Sequence, residues 1–221
     1  RILTELKLIF REARPAAILR MLEAYGVPEA IHPRLKGGRA EQALLDKVGE
    51  VLSWYRLLHL PDTTTPWLLY VLAWVSGCTL PEARSVARRL GLPPGRLTDL
   101  SATLTAYRRL RRQFAKDQPL TASRITRLLA DAPLEAVLLL MARAPASRVE
   151  RALSEYLTHY TRVRPLLTGN DLKALGIRPG PIYREILNSL RYARLDGRLT
   201  SREDEVQFLR RRFAAHLPAA G

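Results

Sequence analysis

Apolar residues recur every three to four positions along almost the whole chain, and this spacing limits it to an all-α fold. Leu3, Leu6 and Phe10 fall on one face of a helix in the first segment. Longer sets with the same spacing are Leu44, Val48, Val51, Tyr55 and Leu58, and then Leu97, Leu100, Leu104, Tyr107, Leu110 and Phe114. The alternating pattern typical of strands is almost absent, so we expect helices and no sheet.

Capping residues and chain breakers predict where the helices begin and end. Ser/Thr-x-x-Glu boxes at Thr79, Ser147 and Thr200 pair with Glu82, Glu150 and Glu203. Pro15 is expected to open the second helix and Gly26 to close it. The glycine pair 37–38 and the Arg164-Pro165 step are expected to separate a neck (1–36), a helical body (37–164) and a small tail domain (165–221).

Positive charge is abundant and unevenly distributed. The net charge is +15, and only five of the 36 basic residues are lysine. A GC-rich genome would explain the preference for arginine, but it would not explain the net charge. Eleven basic residues and two acidic ones lie between Arg84 and Arg127. Such clustering favours a polyanionic partner such as a nucleic acid.

The chemistry of most enzyme sites is missing from the sequence. The four histidines stand singly, and neither a Walker A loop nor a G-x-G-x-x-G motif occurs, so we assign no catalytic and no metal-binding residue. The acidic run 203–205 is interpreted as first-turn charge that complements a helix dipole. The single cysteine, Cys78, suits a reducing compartment, which predicts the cytoplasm. No apolar run is long enough for a membrane span, so no membrane partner is expected. The sequence leaves the oligomeric state open.

Two groups of residues are candidates for phosphate contacts. The first lies on the helix that ends at Phe114, on the side away from its apolar face: Arg108, Arg109, Arg111 and Arg112. An ordinary solvated helix face is the alternative for this group. The second group surrounds a turn between two helices in the tail: Lys173, Gly176, Arg178, Gly180, Tyr183 and Arg184.

The tail turn has three features of a phosphate site. Thr168 or Asn170 can cap a short helix that Gly176 ends in the left-handed conformation, and Pro181 suits the start of the next helix. Glycines allow close backbone approach, and a helix N-terminus offers free amides and partial positive charge. The alternative is an ordinary helix-turn-helix hairpin closed by glycines. Tyr183 is expected either to stack on an unpaired base or to pack inside.

The residues of this tail resemble the C-terminal region of class II tRNA nucleotidyltransferases and their poly(A) polymerase relatives. The similar runs are TGNDL at 168–172, LGIRPGP at 175–181, and Leu195-Asp196-Gly197 followed by Glu203. The opening Arg1-Ile2-x-x-Glu5-Leu6 and the Arg14-Pro15 step are similar to the neck of the same family. The resemblance is weak between residues 37 and 122. Because the chain starts with arginine inside a helical pattern, we expect it to be an excised fragment.

The resemblance implies RNA binding without the transfer chemistry. In this family the metal-binding carboxylates lie in an N-terminal head, and the residues that select the incoming base lie just before the position of Arg1. We therefore expect tRNA and the head domain of the same protein as partners, with Mg²⁺ and ATP or CTP bound only when that head is present. The isolated chain should be inactive. Alternatives are the C-terminal region of a bacterial poly(A) polymerase, a helix-hairpin-helix DNA-binding module, and a pure interaction scaffold.

Overall fold

A computed structural model describes residues 2–12, 14–35, 38–60, 64–144 and 147–217, and within these ranges the chain forms helices and no strand. The α-helices are α1 Ile2–Ile9, α2 Pro15–Ala24, α3 Val27–Ile31, α4 Arg39–Leu57, α5 Pro66–Val75, α6 Leu80–Leu90, α7 Pro94–Phe114, α8 Ala122–Leu129, α9 Leu134–Arg143, α10 Arg148–Thr158, α11 Gly169–Ala174, α12 Ile182–Leu195 and α13 Arg202–Arg212. Short 3-10 turns follow at Tyr160–Arg162 and Ala214–His216. The all-α prediction is confirmed.

The helices are grouped in two compact units. The larger unit comprises Arg1–Asp117 and Leu128–Leu153, and the smaller unit comprises Gln118–Arg127 and Ser154–Gly221. The division into neck, body and tail stays a prediction, and Gly37 of its first joint lies outside the described residues. None of the described helices combines the length and the apolar character that crossing a membrane would require.

The core of the larger unit is built around two helices that are apolar on nearly all sides. Every residue of α5 from Leu68 to Val75 is buried, and so is α9 from Ala136 to Ala142. Helices α4 and α7 pack against them with amphipathic faces. The predicted faces are confirmed, since Val48, Leu104 and Tyr107 are fully buried. The aromatic ring of Phe10 stacks on Tyr70 with 4.8 Å between centroids, which brings the end of α1 against α5.

Two of the three predicted capping positions are confirmed, and the third was wrong by one residue. Thr79 and Glu82 exchange both bonds of a capping box, and the Ser147 hydroxyl accepts the Glu150 amide at 3.2 Å. The third helix begins after Ser201 instead of Thr200, with Asp204 at the position predicted for Glu203. The Asp204 carboxylate accepts the amides of both Thr200 and Ser201 at 2.9 Å, so the shorter acid satisfies two backbone donors that Glu203 does not.

The core of the smaller unit is a separate cluster contributed by α11, α12 and α13 and the segments between them. Its buried members are Leu167, Leu172, Ile177, Ile186, Leu190, Ala193, Leu199, Leu209 and Phe213. The segment that contains α8 is attached to the end of α12 by hydrogen bonds. The Asp196 carboxylate accepts the Ser123 amide at 3.0 Å and the Ser123 hydroxyl at 2.7 Å. Stretches far apart in sequence therefore form one unit.

A buried carboxylate of α13 joins α12 and the segment before α11 within the smaller unit. Glu205, in the first turn of α13, is fully buried, and its carboxylate accepts the amides of Leu166 and Leu167 at 2.8–3.0 Å. Arg194 of α12 reaches the same carboxylate at 3.3 Å. All three acidic residues 203–205 lie in the first turn of α13, as the sequence indicated, but Glu205 is also buried, because its face of α13 points into the core.

Candidate nucleic-acid interface

The four arginines predicted to form one phosphate-binding face on α7 do not share an environment. Arg108 is half-buried, and its guanidinium donates a hydrogen bond to the carbonyl oxygen of Cys78. The Arg111 guanidinium lies 5.9 Å from the centre of the Tyr107 ring. Arg109 and Arg112 are exposed, and neither pairs with a carboxylate among the described residues. The arginines of α7 with free guanidinium groups are therefore Arg109 and Arg112, while Arg108 has a structural bond.

An open groove of about 530 Å³ between α6 and α7 adds a cation that the sequence did not indicate. Arg84 of α6 and Arg109 of α7 both line this α6–α7 groove. Arg84 Nε donates to the Ser101 hydroxyl at 2.8 Å, which holds the guanidinium along the groove wall. None of the described residues that line the groove is acidic. An anion bound in this groove would lie near two arginines and no acidic side chain, an arrangement that favours phosphate binding.

The tail turn begins where α11 ends in a glycine-terminated motif. The Ile177 amide donates to the Leu172 carbonyl at 3.1 Å, and the Gly176 amide donates to the Lys173 carbonyl at 2.9 Å. Gly176 has φ +83°, the left-handed conformation that this pattern of bonds requires. Leu172 and Ile177 are both buried in the core of the smaller unit. The predicted left-handed conformation of Gly176 at the end of α11 is confirmed, whereas its contact with RNA stays a prediction.

The start of α11 is fixed by a capping box and by an ion pair. Thr168 is the N-cap, as one of the two predicted choices, and the Asp171 carboxylate accepts its amide at 2.7 Å. Arg202 of α13 also binds the Asp171 carboxylate. Hydrogen bonds from the Thr168 side chain and amide, and then from Arg202, lower the pKa of Asp171 to about 2. The amides of Thr200 and Ser201 likewise lower the pKa of Asp204 to about 2.

These two carboxyl groups predict a loss of stability in acid. Their folded pKa values lie below the ordinary value of 3.8, so their contribution is present above about pH 4 and is lost as the pH falls towards 2. The double variant Asp171→Asn, Asp204→Asn should be less stable near neutral pH and should lose less stability between pH 4 and pH 2. Urea unfolding across this range measures both effects. Asp117→Asn is the control, since that side chain is fully exposed. Parallel acid profiles for the double variant and the wild type would contradict the prediction.

The helix that follows the turn offers fewer free amides than expected. The Tyr183 amide donates to the Gly180 carbonyl and the Arg184 amide to the Pro181 carbonyl, each at 3.1 Å. The first helical residue is Ile182, and Pro181 is its N-cap. Positive charge that could attract a phosphate to this site therefore comes more from side chains than from the helix terminus.

Tyr183 packs into the smaller unit. Its hydroxyl donates to the Ile177 carbonyl at 2.9 Å, and its ring packs partly buried against the core cluster. A Cβ added at Gly169 would lie 3.6 Å from the ring, in ordinary contact. The packing alternative is what the structure shows, and the predicted contact of Tyr183 with RNA stays a prediction.

The cations of the turn are exposed. Lys173, Arg178 and Arg184 form no ion pair with any described carboxylate. Gly180 lies between them in sequence, and a Cβ built on it would meet nothing within 4 Å. Its φ lies outside the left-handed range, so the turn does not depend on glycine at this position. The space around Gly180 is therefore open to a ligand.

Metal chemistry has no candidate centre in the parts of the chain that the structure describes, since no group of three or more histidine, cysteine, aspartate or glutamate side chains is placed to hold an ion.

Comparison with curated proteins finds similarity to one kind of enzyme. The chain is 32% identical over 211 residues to an A-adding tRNA nucleotidyltransferase of Geobacter sulfurreducens, which covers 94% of this chain and 24% of that protein. It is 33% identical over 72 residues to an A-adding tRNA nucleotidyltransferase of Halalkalibacterium halodurans, which covers 33% of this chain and 17% of that protein. No protein-family model matches. The chain therefore spans about a quarter of the length of the Geobacter protein. The resemblance seen in the sequence is confirmed.

Solved structures share the fold. The Thermotoga maritima CCA-adding enzyme complexed with tRNA superposes with a TM-score of 0.74 and 16% identity, over 96% of this chain and 50% of that one. A tRNA-processing enzyme with CTP gives a TM-score of 0.70 and 19% identity, over 88% of this chain and 50% of that one. The chain thus has the fold of about half of each enzyme.

Proposed function

Because the chain aligns along nearly its whole length with an A-adding tRNA nucleotidyltransferase, we propose that it is the tRNA-binding C-terminal region of such an enzyme or of a CCA-adding one. In this proposal it positions the tRNA, and a head domain of the same protein adds nucleotides to the 3′ end. The alignment with the Geobacter protein is the observation that carries the proposal.

The distribution of charge supports RNA as the ligand. Arg84 and Arg109 line a groove without acidic residues, and exposed cations surround the tail turn. Contacts of this kind read the phosphate backbone and the shape of folded RNA more than its base sequence. The proposal places the protein in the cytoplasm, where its one free cysteine would stay reduced.

The test is binding of tRNA without extension. We expect the purified protein to bind tRNA in a gel-shift assay with an affinity that falls steeply with salt, since each neutralised phosphate contributes about 0.7–0.9 to the slope of log K against log salt. It should incorporate no labelled ATP or CTP, because in this proposal the metal-binding carboxylates lie in the head domain. Salt-independent binding would contradict the proposal, and so would nucleotide incorporation by this chain.

A double variant links this binding to α7. Arg109→Gln with Arg112→Gln should lower the salt slope by about one unit for each phosphate that the variant no longer neutralises. Arg34→Gln with Arg96→Gln is the matched control, because it removes the same charge from residues that are already paired with Glu82 and Asp99. Equal slopes in the two double variants would identify Arg109 and Arg112 as part of an ordinary solvated helix face.

A further inference from the structure

A second groove lies in the larger unit, remote in sequence from the tail turn. Its volume is about 1020 Å³, and helices α1, α2, α4 and α5 supply its walls. Tyr70 lies against Gly49, where an added Cβ would come within 3.0 Å of the phenol oxygen. Burial raises the pKa of Tyr70 to about 12. We refer to this cavity as the α1–α4 groove.

The acidic residues of the α1–α4 groove are largely neutralised. Asp46 pairs with Arg20 at 2.9 Å, and Glu50 pairs with Lys47 at 2.8 Å. Glu12 is the remaining carboxylate among the described lining residues. The groove's other cations, Lys7, Arg11, Arg14 and Arg56, form no ion pair with a described carboxylate. The groove therefore presents a surplus of positive charge.

One of these cations is held in place on the wall. The Lys7 ammonium lies 4.4 Å from the centre of the Trp67 ring, within the range of a cation–π contact. An ammonium fixed in this way loses less side-chain entropy when it binds an anion than a freely moving one. Among these cations, Lys7 comes from α1 and Arg56 from the end of α4, while Arg11 and Arg14 lie in the connection between α1 and α2. Three separate segments therefore contribute positive charge to the groove.

We propose that the α1–α4 groove binds the phosphate groups of a single RNA strand. The shared chemistry of its possible ligands is the phosphate ester, from an RNA strand or from a free nucleotide. Cations from three separate segments match successive phosphates of a strand better than the adjacent phosphates of one nucleotide. The volume also slightly exceeds the roughly 300–1,000 Å³ typical for a single small ligand. The nature of the ligand rests on the RNA-binding function proposed above, whereas the location of the site is independent of it.

The experiment uses the protein with three probes: full-length tRNA, a single-stranded RNA of about five nucleotides, and ATP. Fluorescence anisotropy should detect binding of the labelled short RNA, because charged grooves that track a strand take roughly four or more nucleotides. Arg11→Gln with Arg56→Gln should weaken this binding by roughly tenfold or more. The control pair Arg34→Gln with Arg96→Gln should leave it within about twofold of wild type. Circular dichroism melting checks that each variant folds.

A second readout locates the site without the arginine variants. Trp67 is half-buried at the groove, so the short RNA should quench tryptophan fluorescence, and Trp67→Phe should remove most of that quenching. Binding of tRNA without binding of the short RNA would overturn the groove proposal and leave the proposed function standing. Failure of both probes would overturn both. Displacement of the short RNA by ATP at an equal concentration of phosphate would overturn the assignment to a strand.

Discussion

Replacing Glu205 by alanine is expected to destabilise the protein by about 3–5 kcal/mol, because it removes one partner of a buried charge pair. The carboxylate is fully buried and accepts the amides of Leu166 and Leu167. Without it, these amides lose their acceptor, and Arg194 keeps a mostly buried charge with no carboxylate at 3.3 Å. The free energy of unfolding in urea measures the effect.

The control for Glu205 is its neighbour in the same helical turn. Glu203→Ala removes an equal charge from an exposed position near the helix start, where its interaction with the dipole is worth about 0.3–1 kcal/mol. Glu205→Gln adds a milder test, since the amide keeps the shape and one acceptor but loses the charge that faces Arg194. Equal destabilisation by Glu203→Ala and Glu205→Ala would contradict the buried role of Glu205.

Glu205 also illustrates what the sequence could and could not predict. Helix spacing located the core faces because burial of an apolar stripe follows directly from the 3.6-residue period. The same period places Glu205 one turn before Leu209 on the face of α13 that is buried. The acidic neighbours Glu203 and Asp204 obscured this signal. The partner amides lie almost forty residues earlier, and only the tertiary fold brings them to the carboxylate.

The candidate site shows the same division between local and long-range information. The end of α11 at Gly176 was predictable, since a left-handed glycine after an apolar helix is a local pattern. The bond from Arg108 to the Cys78 carbonyl, and the placement of Arg84 and Arg109 in one groove, depend on the tertiary fold. The sequence therefore placed these arginines on one helix, but it could not show which of their guanidinium groups remain free.

The tail turn leads to the largest expected decrease in binding. The triple variant Lys173→Gln, Arg178→Gln, Arg184→Gln removes three exposed cations that pair with no described carboxylate. If each contacts one phosphate, the affinity for tRNA at about 0.1 M salt should fall roughly 100-fold and the salt slope by two to three units. The control triple Arg34→Gln, Arg96→Gln, Arg148→Gln has the same net charge, but its residues are ion-paired. Equal decreases in affinity for the two triples would indicate a general effect of net charge.

A single substitution tests whether tRNA approaches the backbone closely at this turn. Gly180→Ala should leave the stability nearly unchanged, because the added Cβ meets nothing within 4 Å and the residue is not left-handed. Gly176→Ala is the contrasting variant, and the φ of +83° at this position should make it destabilising by about 1–2 kcal/mol. If a phosphate of the tRNA elbow lies against the turn, Gly180→Ala should weaken binding of full-length tRNA several-fold and leave binding of an acceptor minihelix without the elbow unchanged. Because the fold tolerates the methyl group, wild-type affinity for full-length tRNA in Gly180→Ala would exclude close approach of the ligand to this backbone.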